Sequence, residues 1–455
     1  MPERFLSFLS CFFLILSAAP LRAQSITTTP DPAIAQMVGE VSAQNLEAIV
    51  RRLSAFETRH SLSTTRGDKK GIGAARNWVE GEFKKYAAAS GGRLTATQDA
   101  YVLEPDGKRI DRRVEMKNVM ATLKGTDPND DRVLVVSGHL DSRNTDIMDS
   151  TGKAPGANDD ASGVAIVMEM ARIMSKRPFP ATIIFMAVQG EEQGLLGARH
   201  MADRMKREKA NVIAMVTNDI IGNSLSNETD LRDNHHVRVF SEGVPAAETE
   251  EAAQLRKSTF TENDGGARQL ARYIKEVGER YVDQMTVELI YRNDRFLRGG
   301  DHTPFVQNGF TAVRMSEMNE NFNQQHQNVR LENGTQYGDL PEFVDYEYLR
   351  KNAAVNLATF ANLALAPASP GSVGILTANL TNKTSLRWEA PAKGKKPTGY
   401  YVLMRETTSP VWTRKFFVKD PETTLPYSKD NFLFAVQAVD AEGHESLAVV
   451  PKPVR

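Results

Sequence analysis

Two hydrophobic periods alternate along this chain. Three apolar runs, Val133-Leu-Val-Val136, Ala181-Thr-Ile-Ile-Phe-Met-Ala-Val188 and Val212-Ile-Ala-Met-Val216, carry no charge and do not alternate with polar residues. Such runs predict strands buried on both faces, as in a sheet covered by helices. After Gly163, the segment VAIVMEMARIM places its apolar residues at helical spacing. Ser42 to Leu53 predicts an amphipathic helix with a Ser cap, and Asp68 to Ala88 a longer one with Ile72, Ala75, Trp78, Val79 and Phe83 on one face. Residues 94–104 and 112–124 alternate as half-buried strands do. Further strands are expected at 235–240, 287–291 and 309–314, with helices over 267–285 and 345–366. Residues 24–35 read as a loose leader, 223–265 as a polar insert, and 292–305 and 319–330 as polar loops.

Beyond Pro367-Ala-Ser-Pro-Gly371 the texture changes. Short alternating strands at 385–388, 399–405, 413–418 and 432–439, separated by turn residues, predict an all-β sandwich. Trp388, Tyr400, Tyr401 and the stretch Phe434 to Ser446 resemble a fibronectin type III domain. The expected organisation is a signal peptide over 1–23, an α/β/α domain around a mixed sheet over 24–366, and the small sandwich over 371–455.

The first residues fall outside that reading. Phe5 to Ala19 is apolar but too short to span a membrane, and Leu21-Arg-Ala23 precedes Gln24-Ser25. This is the pattern of a secretory signal cut after Ala23, so the expected location is periplasmic or extracellular. The one cysteine, Cys11, lies inside the signal, which leaves the mature chain without disulfides. A net charge of −1 gives no electrostatic case for nucleic acid or an anionic membrane. No second apolar stretch is long enough for a transmembrane segment.

The chemistry gathers where the buried runs end. The first run leads to Ser137-Gly138-His139-Leu140-Asp141 and then to an acidic, Gly-rich loop containing Asp149, Asp159 and Asp160. The second leads to Gln189-Gly190-Glu191-Glu192, and the third to Asp219. Adjacent glutamates point in different directions, so one can bind metal while the other faces substrate. A lone acid at a strand end is usually a helix cap or a solvated loop residue. Three successive strand ends bearing His139, Asp159, Glu191, Glu192 and Asp219 argue for a divalent metal held by imidazole and carboxylates.

These motifs, His139-x-Asp141, Asn158-Asp-Asp-Ala-Ser-Gly163, Glu191-Glu192, Asp219 and a late His, together resemble the M28 family of zinc aminopeptidases. The resemblance spans roughly residues 40 to 365. It implies two Zn2+ ions, with His139 on one, Asp159 bridging both, and Asp219 and Glu192 on opposite ions. Glu191 would be the general base, and Asp141 would orient a ligand imidazole. The resemblance also implies a cis peptide at Asp159-Asp160. Two histidines compete for the last ligand position, and the order of motifs in relatives places it at His326, with His302 left to face the substrate or to serve the fold. His326-Gln-Asn-Val departs from the family pattern, and no Tyr stands beside it to stabilise an oxyanion; His302, Arg292 and Arg295 are the candidates. The remaining histidines, His60, His200, His235, His236 and His444, read as structural or solvated.

The implied activity is removal of N-terminal residues from peptides with a free N-terminus. Three rivals remain: a dipeptidase or carboxypeptidase of related fold, a glutaminyl cyclase-like enzyme with one zinc, and a non-catalytic binding protein. The sandwich adds the expectation of a polymer or surface partner.

Overall fold

The three apolar runs become neighbouring parallel strands. In the computed structural model, which describes residues 28–455, the chain opens with α1 (Pro32–Gly39), α2 (Ala43–Ser54) and α3 (Gly71–Ala88). The antiparallel pair β1 (Leu94–Leu103) and β2 (Val114–Leu123) leads into β3 (Arg132–His139), α4 (Ala161–Met174), β4 (Thr182–Val188), α5 (Leu196–Arg207) and β5 (Asn211–Asn218). Then come β6 (His236–Phe240), α6 (Glu250–Thr259), α7 (Gly266–Tyr281), β7 (Thr286–Ile290), α8 (His302–Gln307) and β8 (Ala312–Glu317). A hairpin of β9 (Arg330–Glu332) and β10 (Thr335–Tyr337) precedes α9 (Tyr346–Leu365).

One mixed sheet of 8 strands, ordered β1-β2-β4-β3-β5-β8-β6-β7, carries the domain. Its centre, β4-β3-β5-β8, is parallel. Period-two side chains split between the faces: Leu134 and Val136 meet α4 and the large core, while Val135, Ile184 and Met186 meet α5 and α8. The result is the three-layer α/β/α architecture. From β3 the chain crosses to β4 on one side and then back to β5 on the other. The carboxyl ends of β3, β4 and β5 therefore meet at a topological switch point, where open sheets leave a crevice.

Three polar stretches hold more structure than their composition predicts. The supposed leader contains α1. Asp31 caps it by accepting the Ala33 N–H (2.8 Å), Pro32 occupies the first turn, where it costs no hydrogen bond, and Ile34 and Met37 are buried. The polar insert contains α6, which buries no side chain. The polar loop before Phe305 ends in α8.

The C-terminal region is β11 (Gly371–Leu376), β12 (Thr384–Glu389), β13 (Gly399–Glu406), β14 (Arg414–Val418), β15 (Glu422–Leu425), β16 (Phe432–Val439) and β17 (Lys452–Val454). They form a 4-stranded sheet, β15-β12-β11-β17, and a 3-stranded one, β14-β13-β16. Leu386 and Trp388 from the first sheet pack with Val402, Phe416 and Val436 from the second in a core of their own. The Pro-rich connection is pinned rather than loose, since buried Arg132 donates to the Ala366 and Pro367 carbonyls (2.7 and 3.2 Å).

The segment read as a signal, with Cys11, lies outside the described residues. Among the described residues no helix is long and apolar enough to cross a membrane.

Candidate active site

His139 is the last residue of β3, and the start of α4 fixes its position. A Cβ on Gly138 would collide with the Gly163 carbonyl carbon, so only glycine lets α4 begin directly on β3. Asp160 caps α4, accepting the Gly163 N–H (3.0 Å), and its other oxygen accepts the His139 N–H (2.8 Å). This clamp presents the preceding Asp159 to the crevice. The Asp159-Asp160 peptide bond is cis.

Asp159 stands between two imidazoles. Its Oδ1 is 2.9 Å from His139 Nε2 and its Oδ2 is 2.9 Å from His326 Nε2. His139 Nε2 lies 3.6 Å from Asp219 Oδ1, and His326 Nε2 lies 3.1 Å from Glu192 Oε1. Two clusters thus share one carboxylate: His139 with Asp159 and Asp219, and His326 with Asp159 and Glu192. Asp160 also lies within ligand range of His139 and Asp219. Both its oxygens are occupied by backbone N–H groups, however, so it supports the cluster from behind.

The electrostatics are those of a cation site. Burial alone would push His139 down, yet the charge of Asp160 and the contacts to Asp159 and Asp219 hold its pKa well above the ordinary value. His326 rises to about 10 against burial, through Glu192 and Asp159. Asp159 is held well below the ordinary carboxylate value, against burial, by the two imidazoles. Glu192 Oε1 is buried, with His326 Nε2 at 3.1 Å. Two imidazole nitrogens facing three carboxylates form the donor set that Zn2+ prefers, and zinc binding would release the imidazole protons. The residues present fit zinc.

The neighbouring acids are shaped differently. Glu191 follows the turn at Gly190, whose φ of 95° suits glycine. Its N–H is held by Asp141 Oδ1 (3.3 Å), and its carboxylate has no protein hydrogen bond among the described residues. Burial raises its pKa well above the ordinary value; Asp219, Glu192 and Asp301 add to this against the pull of His139. Asp141 contributes through two groups. Its backbone carbonyl, not its carboxylate, takes His139 Nδ1 (3.0 Å); the nearer carboxylate oxygen is 3.9 Å away. The carboxylate instead accepts the N–H groups of Gly190 (2.9 Å) and Glu192 (3.2 Å) and the Ser61 hydroxyl (3.1 Å). It fixes the Glu191-Glu192 loop.

His302 is fully buried at the start of α8, with Nε2 2.7 Å from the Asn293 carbonyl and 3.8 Å from Asp294. Nothing in these contacts turns it toward the crevice. His60, His200, His236 and His444 all have protein partners: the Ile147 carbonyl, Asp99, Asp233, and the Asp440–Asp31 pair respectively. His235 contacts the Gln284 carbonyl.

Several residues that build the site are not singled out by sequence reasoning. Arg314 on β8 pairs with Asp219 Oδ2 (2.8 Å) and aims its other oxygen at His139. Arg143 reaches His326 Nδ1 (2.6 Å) and Glu192 Oε2 (3.3 Å). Asp339 accepts the N–H groups of Asn158 and Asp159 (2.8 and 2.7 Å), and fully buried Arg59 ties the Leu140 and Gly156 carbonyls together (2.7 and 2.9 Å). Asp301 is buried with both carboxylate oxygens unpartnered, and burial raises its pKa to about 8. The one sequence signal for Asp301 is its place in Gly-Gly-Asp-His-Thr-Pro, where the adjacent histidine is the more conspicuous candidate.

Fold and site together define a metal-dependent hydrolase on an α/β/α sheet, and the comparisons make the class specific. The model of peptidase family M28 matches residues 118–343. A probable zinc metalloprotease of Leptosphaeria maculans is 47% identical over 94% of this chain and 99% of its own length. One from Pyricularia oryzae is 47% identical over 93% of this chain and 85% of its own. Among solved structures, LapB of Legionella pneumophila superposes with a TM-score of 0.52 at 18% identity, covering 76% of this chain and 79% of that one. The LapA aminopeptidase of the same organism gives 0.51 at 17% identity, covering 80% of each chain. The chain belongs to peptidase family M28 and is a zinc metallopeptidase.

Proposed function

We propose that this peptidase is a two-zinc aminopeptidase, with His139, Asp159 and Asp219 holding one ion and Asp159, Glu192 and His326 the other. The observation that carries the reading is the pair of clusters sharing Asp159 beside a glutamate that belongs to neither. When bound, zinc supplies Lewis acidity that lowers the pKa of water toward roughly 7 and polarises a carbonyl oxygen. Glu191 is the general base: its carboxylate takes a proton from the attacking water and returns it to the leaving nitrogen. Its burial among like charges raises its proton affinity toward the range such a shuttle needs. Asp141 keeps Glu191 aimed by gripping the backbone of its loop. LapA, which shares the fold, is named an aminopeptidase, and that likeness supports N-terminal cleavage as the activity here.

A lid-bearing dipeptidase fits less well. Between Asp219 and His326 the chain builds β6, α7, β7, α8 and β8, all belonging to the catalytic sheet and its helices, and only α6 lies outside that core. Export rests on the apolar run Phe5–Ala19 and the Leu-Arg-Ala23 site, and N-terminal sequencing of the secreted protein would test it.

The deciding assay compares free and N-acetylated aminoacyl-anilides, with chelator and with zinc restored. Chelator-sensitive cleavage of only the free-amine substrates is expected; cleavage of blocked peptides would overturn the aminopeptidase reading. Glu191→Gln should retain two zinc ions by elemental analysis and lose about 10²–10⁴-fold in kcat. A variant turning over at the native rate would remove Glu191 from this role.

A further inference from the structure

Against β6 and the ends of β7 and β8 lies a cavity of about 490 Å³, a volume typical of small-molecule sites, whose walls are unusual. Arg238, Arg292, Arg295 and Arg298 line it, together with Glu228 and Glu320. Arginines therefore outnumber acids by two. Glu320 is almost wholly buried and is gripped by Arg298 (2.8 and 2.9 Å), Arg295 (3.3 Å) and Arg238 (3.4 Å). These guanidiniums converge on one carboxylate supplied by the fold. Arg292 has no such partner: among the described residues no acid pairs with it, and its guanidinium lies 5.5 Å from the centre of the Phe296 ring. Phe296 and Phe322, 74% and 48% exposed, complete an aromatic rim.

The cavity is joined to the site by a short chain of ion pairs. Asp219 Oδ2 is 2.8 Å from Arg314 Nη1, which is 3.5 Å from Asp294 Oδ2. Asp294 Oδ1 in turn accepts from Arg295 Nε at 3.0 Å in the cavity wall. The other wall, Met318 to Phe322, runs on in sequence to His326. Buried Arg314 and Asp294 thus lie between Asp219 and the wall at Arg295.

We infer that this cavity receives a carboxylate of the peptide substrate, with Arg292 and the exposed side of Arg298 as its receptors. Guanidinium groups match carboxylates in fork geometry, and a pocket with excess positive charge selects anionic over neutral groups of the same shape. The inference rests on the peptidase reading and adds a substrate class to it. The carboxylate has two sources, the side chain of an acidic N-terminal residue or the C-terminus of a short peptide.

The zinc-loaded enzyme would be assayed on two matched pairs. Glu-anilide against Gln-anilide isolates the side chain; Leu-Leu against Leu-Leu-amide isolates the C-terminus. The charged member of at least one pair should be preferred by about tenfold or more in kcat/KM, expressed mainly in KM, as for a charge-assisted hydrogen bond. The pair that responds names the source. Arg292→Glu should abolish or invert that preference; Arg292 is exposed, so the variant should fold. Calorimetry on zinc-loaded Glu191→Gln should show tighter binding of the favoured member, independent of turnover. Ratios near one in both pairs, or a preference that Arg292→Glu leaves intact, would overturn the inference while N-terminal cleavage still stood. If N-acetylated forms of these substrates were cleaved with the same contrast, the aminopeptidase reading would fall and the carboxylate pocket would remain.

Discussion

The molecule buries two dense clusters of charge, and they are built to opposite specifications. One is the crevice at the ends of β3, β4 and β5. The other joins α7 to the C-terminal sheets. There Arg280 pairs with Glu445 (2.9 Å), Lys415 with Glu276 and Glu445 (2.6 and 3.3 Å), and Asp264 with Arg405 and Arg272 (2.8 and 3.2 Å). Around Glu445 the charges balance, with Arg280 and Lys415 facing Glu445 and Glu276, while Asp264 is shared by two arginines. Against burial, Lys415 and Arg280 hold Glu445 below its ordinary pKa, and the acids hold Arg280 and Lys415 above theirs. Glu445, Arg280 and Lys415 are each better off charged. In the crevice, burial drives Asp160 and Glu191 well above the carboxylate range, and Asp301 to about 8. Its acids exceed the cations the chain supplies. A balanced cluster joins two parts of a fold. An unbalanced one, with two imidazoles in its midst, has a place for a divalent ion.

The sharpest way to break the contrast is to remove metal. Chelation should abolish turnover and lower Tm, with zinc restoring both, because bound ligand stabilises the native state by mass action. Retention of activity in excess chelator would refute a metal requirement. Glu445→Ala should do the reverse. It strips the shared acid from Arg280 and Lys415, whose side chains are 1% and 0% exposed, and should cost about 3 kcal/mol of stability in denaturant titrations. The surviving folded enzyme should keep its kcat; a fall in kcat would mean the sandwich interface shapes the site.

A smaller effect tests where the N-terminal segment joins the sandwich. His444 sits between Asp440 (2.7 Å) and Asp31 (2.8 Å), and these acids raise its pKa against burial. Its contribution is full below the unfolded pKa of about 6.5 and is lost as pH rises through the higher folded value. Asp440, lowered to about 2 against burial by His444 and Lys395, contributes above its ordinary value and loses that as pH falls from about 4 toward 2. Tm should therefore decline as pH rises above about 6.5, and His444→Gln should flatten that slope. An equal slope in both proteins would place the titrating group elsewhere. The smallest effect belongs to Lys393, whose pair with Asp131 (2.6 Å) is 64% and 49% exposed. Lys393→Ala should change stability by less than about 0.5 kcal/mol, since solvent screens such pairs.

How much of this was written in the sequence differs between the two clusters. Short apolar runs that do not alternate and are rich in β-branched residues read as strands covered on both sides, so the central sheet and its rim were legible from Val133, Ala181 and Val212 onward. His139, Asp159, Glu191, Glu192 and Asp219 were legible too, because each comes after such a run. The sandwich strands showed through their alternation. Some supports were not legible. Arg314 and Asp339 reach the site from distant segments, and Arg143 and Asp301 sit in loops whose composition matches ordinary polar surface.

The sequence by itself determined the periods, and hence the layers, the strand ends and the residue types placed there. Only the tertiary structure decided what each polar face would meet. The face of α7 bearing Arg272, Glu276 and Arg280 has the pattern of a solvated helix surface, yet Arg272 and Arg280 are buried because the sandwich lands on it. The loop from Arg292 to Arg298 has the same local character and instead borders a cavity. Local pattern fixes which side chains share a face. Whether that face touches water, an opposite charge or a metal depends on long-range contacts, where the same arginine is solvated, paired or left to receive a ligand.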